Sequence, residues 1–154
     1  MKRVALLFLL ALITVLAQRF TLTPDSPQPS PSSKPVIDRP LDTGSDSRLQ
    51  QAFANRQSNL QIEGSGTVIK LLPDDLKGSR HQRFLLQLSH GQVLLIAHNI
   101  DLAPRIESLR TGDRVSFYGE YEWNAKGGVI HWTHHDPKGR HAAGWLQHQG
   151  RRYQ

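Results

Sequence analysis

The amino-acid sequence predicts a mainly β domain: a five-stranded Greek-key barrel of the OB type, with a short helix before the first strand and another between the third and fourth. Three observations lead there. Five segments beyond residue 59 alternate apolar and polar residues with the period of two that a half-buried strand requires. Their order is three strands, a helical segment opened by Pro104, then two strands, which is the strand order of an OB barrel. The chain contains no cysteine, so its core must hold the fold without disulfides, and the 108 residues from Ser47 onward are enough for that.

The elements follow in order. Lys2 and Arg3 precede a fourteen-residue apolar run, Val4 to Ala17, broken only by Thr14. A spanning helix needs about 20 apolar residues. The run therefore reads as a signal peptide, residues 1–17, with Val15-Leu16-Ala17 as the cleavage site. The alternative is an uncleaved anchor in the inner membrane through residues 4–17, with the basic pair left inside. Either way the domain is expected outside the cytoplasm, periplasmic or secreted, or tethered to the membrane. Residues 18–46 read as an extended Pro/Ser-rich linker, because six of the nine prolines lie there and little apolar surface is available to offset ordering.

The folded domain is expected over residues 47–154. Ser47 to Gln57 forms a short helix capped by Asp46 or Ser47, with Leu49, Ala52 and Phe53 on one face. Leu60 to Leu72 is the first strand, with Gly64 and Gly66 marking a bend or bulge, and Pro73 to Gly78 is a loop. Arg80 to Leu88 and Gln92 to His98 are strands two and three. Pro104 opens the helix Arg105–Arg110. Arg114 to Trp123 and Gly128 to His134 are strands four and five, joined through Asn124-Ala-Lys-Gly127.

Pairing strands two and three around His90-Gly91, with residue numbers summing to 181, puts Phe84, Leu86 and Leu88 against Ala97, Leu95 and Val93 inside. His81, Arg83, Leu85 and Gln87 then face outward with Leu94, Ile96 and His98. In strands four and five a sum of 251 sets Glu120 across from His131 and lays Trp132 over Gly119 in the core.

The strings Ser79-Arg-His-Gln-Arg-Phe84, Leu95-Ile-Ala-His-Asn-Ile-Asp-Leu-Ala-Pro-Arg-Ile106, Gly119-Glu-Tyr-Glu-Trp-Asn-Ala-Lys-Gly-Gly-Val-Ile-His-Trp-Thr-His-His-Asp-Pro137 and Gly144-Trp145 resemble a small bacterial family known only as domain of unknown function number 3465. The resemblance runs from about Leu60 to Gln154. It implies a small exported β domain and supplies no activity.

The chemistry must therefore come from the residues. Lys and Arg number 19 against 13 Asp and Glu, giving a formal charge of +6, and all eight histidines follow residue 80. On an OB barrel the ligand face combines strands two and three with the loops between strands one and two and between four and five. Here Arg80, His81, Arg83, His98, Asn124 and Lys126 occupy it, with Asp74, Asp75 and Lys77 in the first loop. Their positive excess suits an oligonucleotide or another polyanion, although Leu85, Leu94 and Ile96 stand where single-strand binders place aromatic rings.

A second cluster, His131, His134, His135, Asp136 and His141, offers donors for a divalent metal such as zinc. His131 and His135 would be about 13 Å apart on one extended strand, so the cluster needs the turn Asp136-Pro-Lys-Gly139 to fold it back. His98 and Asp101 form a third pairing that could act as an acid/base pair, but the preferred reading makes Asn99 or Asp101 a turn residue and the cap of the Pro104 helix. No phosphate-binding glycine loop, nucleophile elbow or zinc-protease helix occurs. The expectation is an exported binding module rather than an enzyme. The alternatives are a metal-assisted hydrolase built on the histidine/aspartate cluster and a tethered protein–protein adaptor.

Overall fold

In the computed structural model, which describes residues 43–154, one helix and seven strands are defined. They are α1 (Thr43–Ala54), β1 (Leu60–Asp75), β2 (His81–Gln87), β3 (Val93–Asn99), β4 (Arg114–Glu122), β5 (Val129–His131), β6 (Trp145–His148) and β7 (Arg151–Tyr153). The apolar run at 4–17 and nearly all of the Pro/Ser-rich stretch lie outside the described residues. Among the described residues no helix is long and apolar enough to cross a membrane.

Helix α1 starts four residues ahead of the expected boundary because its first turn is docked. Ser45 and Asp46 are buried, and the Asp46 carboxylate accepts hydrogen bonds from the Ser89 amide at 3.3 Å and from the Ser89 hydroxyl. Leu49 and Ala52 are fully buried on its inner face. Beyond them the Trp123 indole donates to the Phe53 carbonyl at 3.1 Å, with the two rings 6.5 Å apart.

The strands form one sheet in the order β1-β2-β3-β5-β4-β6-β7, and β1 also pairs with β4. All neighbours are antiparallel except β3 and β5. The first half of β1, Leu60 to Thr67, runs against β4 in unbroken register, and its second half runs against β2. The bulges fall after Val68 and Leu72, not at the glycines. Gly64 and Gly66 answer a different need, close approach: a Cβ on Gly64 would sit 2.6 Å from the Phe117 ring, and one on Gly66 2.5 Å from the Gln87 carbonyl oxygen.

β2 and β3 pair one residue away from the expected register, Phe84 with Ile96 and Gln82 with His98, so the sum is 180. The cause is a three-residue loop, Ser89 to Gly91, closed by Leu88 and Gln92 with Gly91 at φ 94°. A one-residue shift exchanges the faces. Leu94, Ile96 and His98 therefore point inward beside Phe84 and Leu86, while Val93, Leu95 and Ala97 point outward with His81, Arg83 and Leu85.

The helix expected between strands three and four does not form. Side chains of the sheet instead take the Pro104 and Ile106 carbonyls that a helix would have used, and the Ile106 amide as well. Gln82 bonds both the Ile106 amide (2.9 Å) and the Ile106 carbonyl (3.0 Å), and the His98 ring reaches the Pro104 carbonyl at 3.1 Å. The segment instead lays Ala103, Ile106 and Leu109 into the core as a series of turns.

β4 and β5 adopt the expected register, with Glu120 opposite His131. β5 ends there, because Trp132 takes φ 51° and breaks the alternation. Trp132 is consequently half-buried, not a core residue over Gly119. The space above Gly119 is filled by the His131 carbonyl, Ile130 and Thr133. The expected five strands gain two more. β6 continues along β4 where β5 has stopped, and it turns into β7 through Gln149 (φ 50°) and Gly150 (φ 78°), the conformation of a two-residue hairpin turn.

Candidate functional site

The outward side of β1, β4 and β5 carries a polar row. Gln61 pairs across the ladder with Glu120, and Glu120 with His131, so the three side chains stand on one face of three adjacent strands. Glu122, two residues along β4, joins the same face. One donor atom each from Glu120, Glu122 and His131 lies within 4.8 Å of the others.

The segment after β5 folds back over this row. Asp136 fixes the fold-back by accepting amide hydrogen bonds from Lys138, Arg140 and His141, and Gly139 closes the expected turn onto the Asp136 carbonyl at 3.0 Å. Those amides hold the Asp136 carboxyl below the usual carboxylate range. Gly144 then passes so close to the chain that a Cβ there would lie 1.9 Å from the Trp132 carbonyl oxygen. The result brings His141 onto Glu120. Its Nε2 contacts Glu120 Oε2 and its ring stacks on Trp132, 4.1 Å between centroids and 8° from parallel.

Glu120 thus sits between two histidines, with His131 Nε2 3.5 Å from its other oxygen, Oε1. The two rings respond differently. Burial pushes His131 below its ordinary value, against the pull of Glu120 and Glu122. Burial opposes protonation of His141 as well, but the bonds to Glu120 and to the Ala142 carbonyl outweigh it and raise the value. Next to this group a cleft of about 330 Å³ is lined by His81, His131, Trp132 and His134, with Ser79, Ala97, Asn99 and Leu102.

Of the five residues expected to share a metal, the structure brings together His131 and His141. Asp136 spends its carboxylate on backbone amides, and His135 is exposed. His134 is buried, with Nδ1 on the His135 carbonyl at 2.9 Å, and opens onto the neighbouring cleft. Glu120 and Glu122 complete the group. The 251 register already set Glu120 beside His131, and the strand period put Glu122 on its face, so the signal was present.

The expected ligand face is dispersed. His98 is fully buried, with Nδ1 2.8 Å from the Thr133 hydroxyl, and burial pushes its value down to about 4. Arg80 is paired with Asp101 at 2.6 Å, which takes Asp101 into the role of a turn residue. Arg83 donates twice to the Pro73 carbonyl and lies 3.7 Å from Asp75. Arg105 is paired with Asp74. His81 turns Nδ1 onto the Ser79 carbonyl and opens onto the histidine cleft. Asn124 spends its side-chain oxygen on the amides of Lys126 and Gly128. What remains is an apolar groove of about 330 Å³ lined by Leu72, Leu85, Val93 and Leu95 together with Asn124, Lys126 and Gly128. Ile69 and Leu71, also on β1, are exposed but do not line this groove.

These features define a mainly β domain that carries a glutamate/histidine cluster on one part of its sheet and an apolar groove on another. The family follows from comparison: a model described as "Protein of unknown function (DUF3465)" matches residues 36–154, and the chain belongs to that family. No curated protein matches the chain.

Proposed function

We propose that the chain is an exported, non-catalytic binding module with an OB-type barrel, and that its ligand is an anion with an apolar body, held in the groove beside Lys126. The circuit β1-β2-β3-β5-β4 and back to β1, with β3 and β5 parallel, supports the OB assignment. On that fold the groove falls where ligands are normally seated, between strands two and three and the loop joining four to five. The observation that carries the reading is the groove itself: an aliphatic floor of Leu85, Val93 and Leu95 with one lysine in its lining. Its size suits a small molecule. Arg80, Arg83 and Arg105 are each committed to a carboxylate, which favours a compact anion over a long oligonucleotide. The Lys2-Arg3 pair and the run Val4–Ala17 support export.

The test uses anilinonaphthalene sulfonate, an apolar anion, with dodecanoate and a labelled oligothymidylate as competitors. Dodecanoate should displace the dye. Lys126→Glu should weaken the dye about tenfold, as loss of a charge-assisted contact does. Leu85→Asn should weaken it with no change in melting temperature. Displacement by the oligonucleotide with a steep salt dependence would favour the polyanion reading. Dye binding unchanged in both variants would remove the groove as the site.

A further inference from the structure

The ring nitrogens around Glu120 pose a problem of hydrogen-bond accounting. A carbonyl oxygen only accepts, so the bond from His141 to the Ala142 carbonyl at 2.9 Å fixes the proton on Nδ1. In the neutral ring Nε2 then presents a lone pair to Glu120 Oε2, another acceptor. At this contact a second proton bridges the two atoms, and a cation bound to both would take that proton's place and move them apart. On the other side of the carboxylate, His131 Nε2 is shielded from solvent and has no hydrogen-bond partner. Both polar atoms of the Gln61 side chain, next in the same row, are also buried without partners. Buried polar atoms without partners are rare, and one of them, His131 Nε2, lies beside this carboxylate.

We propose that Glu120, Glu122, His131 and His141 form a binding site for one divalent transition-metal ion of the zinc class. The donor set is two carboxylates and two imidazoles, the borderline mixture that suits zinc and its neighbours and that magnesium and calcium do not use. Four protein donors fill a tetrahedral shell. Donors on a zinc tetrahedron lie about 3.4 Å apart, from bond lengths near 2.1 Å. The three donors already grouped within 4.8 Å therefore need only rotamer adjustments of about an ångström. The bond from His141 Nδ1–H to the Ala142 carbonyl is the outer contact that ligating histidines carry, because it fixes the tautomer and turns Nε2 toward the ion.

The site draws on β4, β5 and the 132–144 fold-back, and it makes no use of Asp136 or His135. That distinguishes it from any cation caught by the histidine-rich stretch at large. It is also independent of the groove.

The experiment is calorimetric titration of the tag-free chain with zinc chloride at pH 7.5 after dialysis against a chelator. One zinc per chain should bind at micromolar or tighter concentration, and millimolar magnesium or calcium should not compete. Cobalt in place of zinc should give the intense visible absorption of a four-coordinate centre. Glu122→Gln and His131→Gln should each weaken zinc at least tenfold and abolish the cobalt band, while His135→Ala should match the parent chain. Glu122 is the last residue of β4 and only partly buried, so its variant carries the test if His131→Gln does not fold. No zinc uptake would overturn the proposal, leaving a proton between His141 and Glu120. So would uptake that survives Glu122→Gln, or that falls equally in His135→Ala.

Discussion

His98 should make the domain acid-sensitive, and the size of the effect can be worked out. The ring is fully buried between the Thr133 hydroxyl and the Pro104 carbonyl. The carbonyl can only accept, so Nε2 carries the proton and Nδ1 accepts from Thr133, which satisfies the neutral ring completely. Burial lowers the folded value to about 4 from 6.5. The unfolded chain therefore takes up a proton that the folded chain refuses between those two values. Stability from this residue is full above about pH 6.5 and is lost as pH falls toward 4. Between pH 7 and 5 the loss is about 2 kcal/mol. His98→Asn removes the titration at some cost in absolute stability. The assay is urea unfolding of both chains at pH 7 and pH 5. The parent chain should lose about 2 kcal/mol more than the variant over that interval. The lowered carboxyls of Asp101, Asp113 and Asp136 titrate below it, and His131 and His141 are common to both chains. Equal losses in the two chains, or an imidazole resonance of His98 titrating near 6.5, would refute the reasoning.

Two further outcomes concern packing. Trp132 is half-buried and stacked on His141, so Trp132→Ala should cost about 1–2 kcal/mol in thermal or urea unfolding, whereas Tyr121→Ala, in the core, should cost about 3–5 kcal/mol. Asp46→Ala removes the acceptor for both Ser89 donors and should lower stability by about 1–3 kcal/mol, measured the same way; no change would return the first turn of α1 to the linker.

The strands were legible because their alternation is local. The β4–β5 register was readable from its glycine turn, and with it the meeting of Glu120 and His131. The β2–β3 register was not, since a loop of two or three residues gives patterns of equal apolar quality on either face: Leu94 and Ile96 are as apolar as Val93 and Leu95. That single residue moved His98 from the surface to the core. The missing helix after β3 failed on tertiary grounds, because Gln82 and His98, some 24 and 6 residues away, compete for its backbone. The final hairpin had a local signal in Gln149-Gly150 between Trp145-Leu146 and Tyr153. The place of His141 was legible only in part: Asp136-Pro-Lys-Gly139 signalled the fold-back, but the approach to Glu120 depends on the positive φ at Trp132 and on the amides gathered by Asp136.

Stability alone gives a weak account of the Glu120 cluster. β4 has no free edge over most of its length, with β1 on one side and β5 and then β6 on the other. An outward position on such a strand is satisfied by threonine or valine, which pack without needing partners. The carboxylate of Glu120 is instead mostly covered, its side chain 16% exposed, under two histidines. Replacing a covered ion pair by apolar side chains of similar volume is commonly neutral or stabilising, so such pairs are weak evidence of a structural need. The chain also folds a thirteen-residue segment, 132–144, back across the strand to deliver His141, and it relies on Gly144 to clear the Trp132 carbonyl. Local conflicts of this kind, where sequence-level rules for a sheet surface are broken and compensated nearby, concentrate at sites that bind something. The hydrophobic groove breaks the same rules in the opposite sense, leaving leucines outward on β2 and β3. The two departures lie on different parts of one sheet, and the two proposals assign them different ligands: an apolar body with a negative charge at the groove, a cation at Glu120.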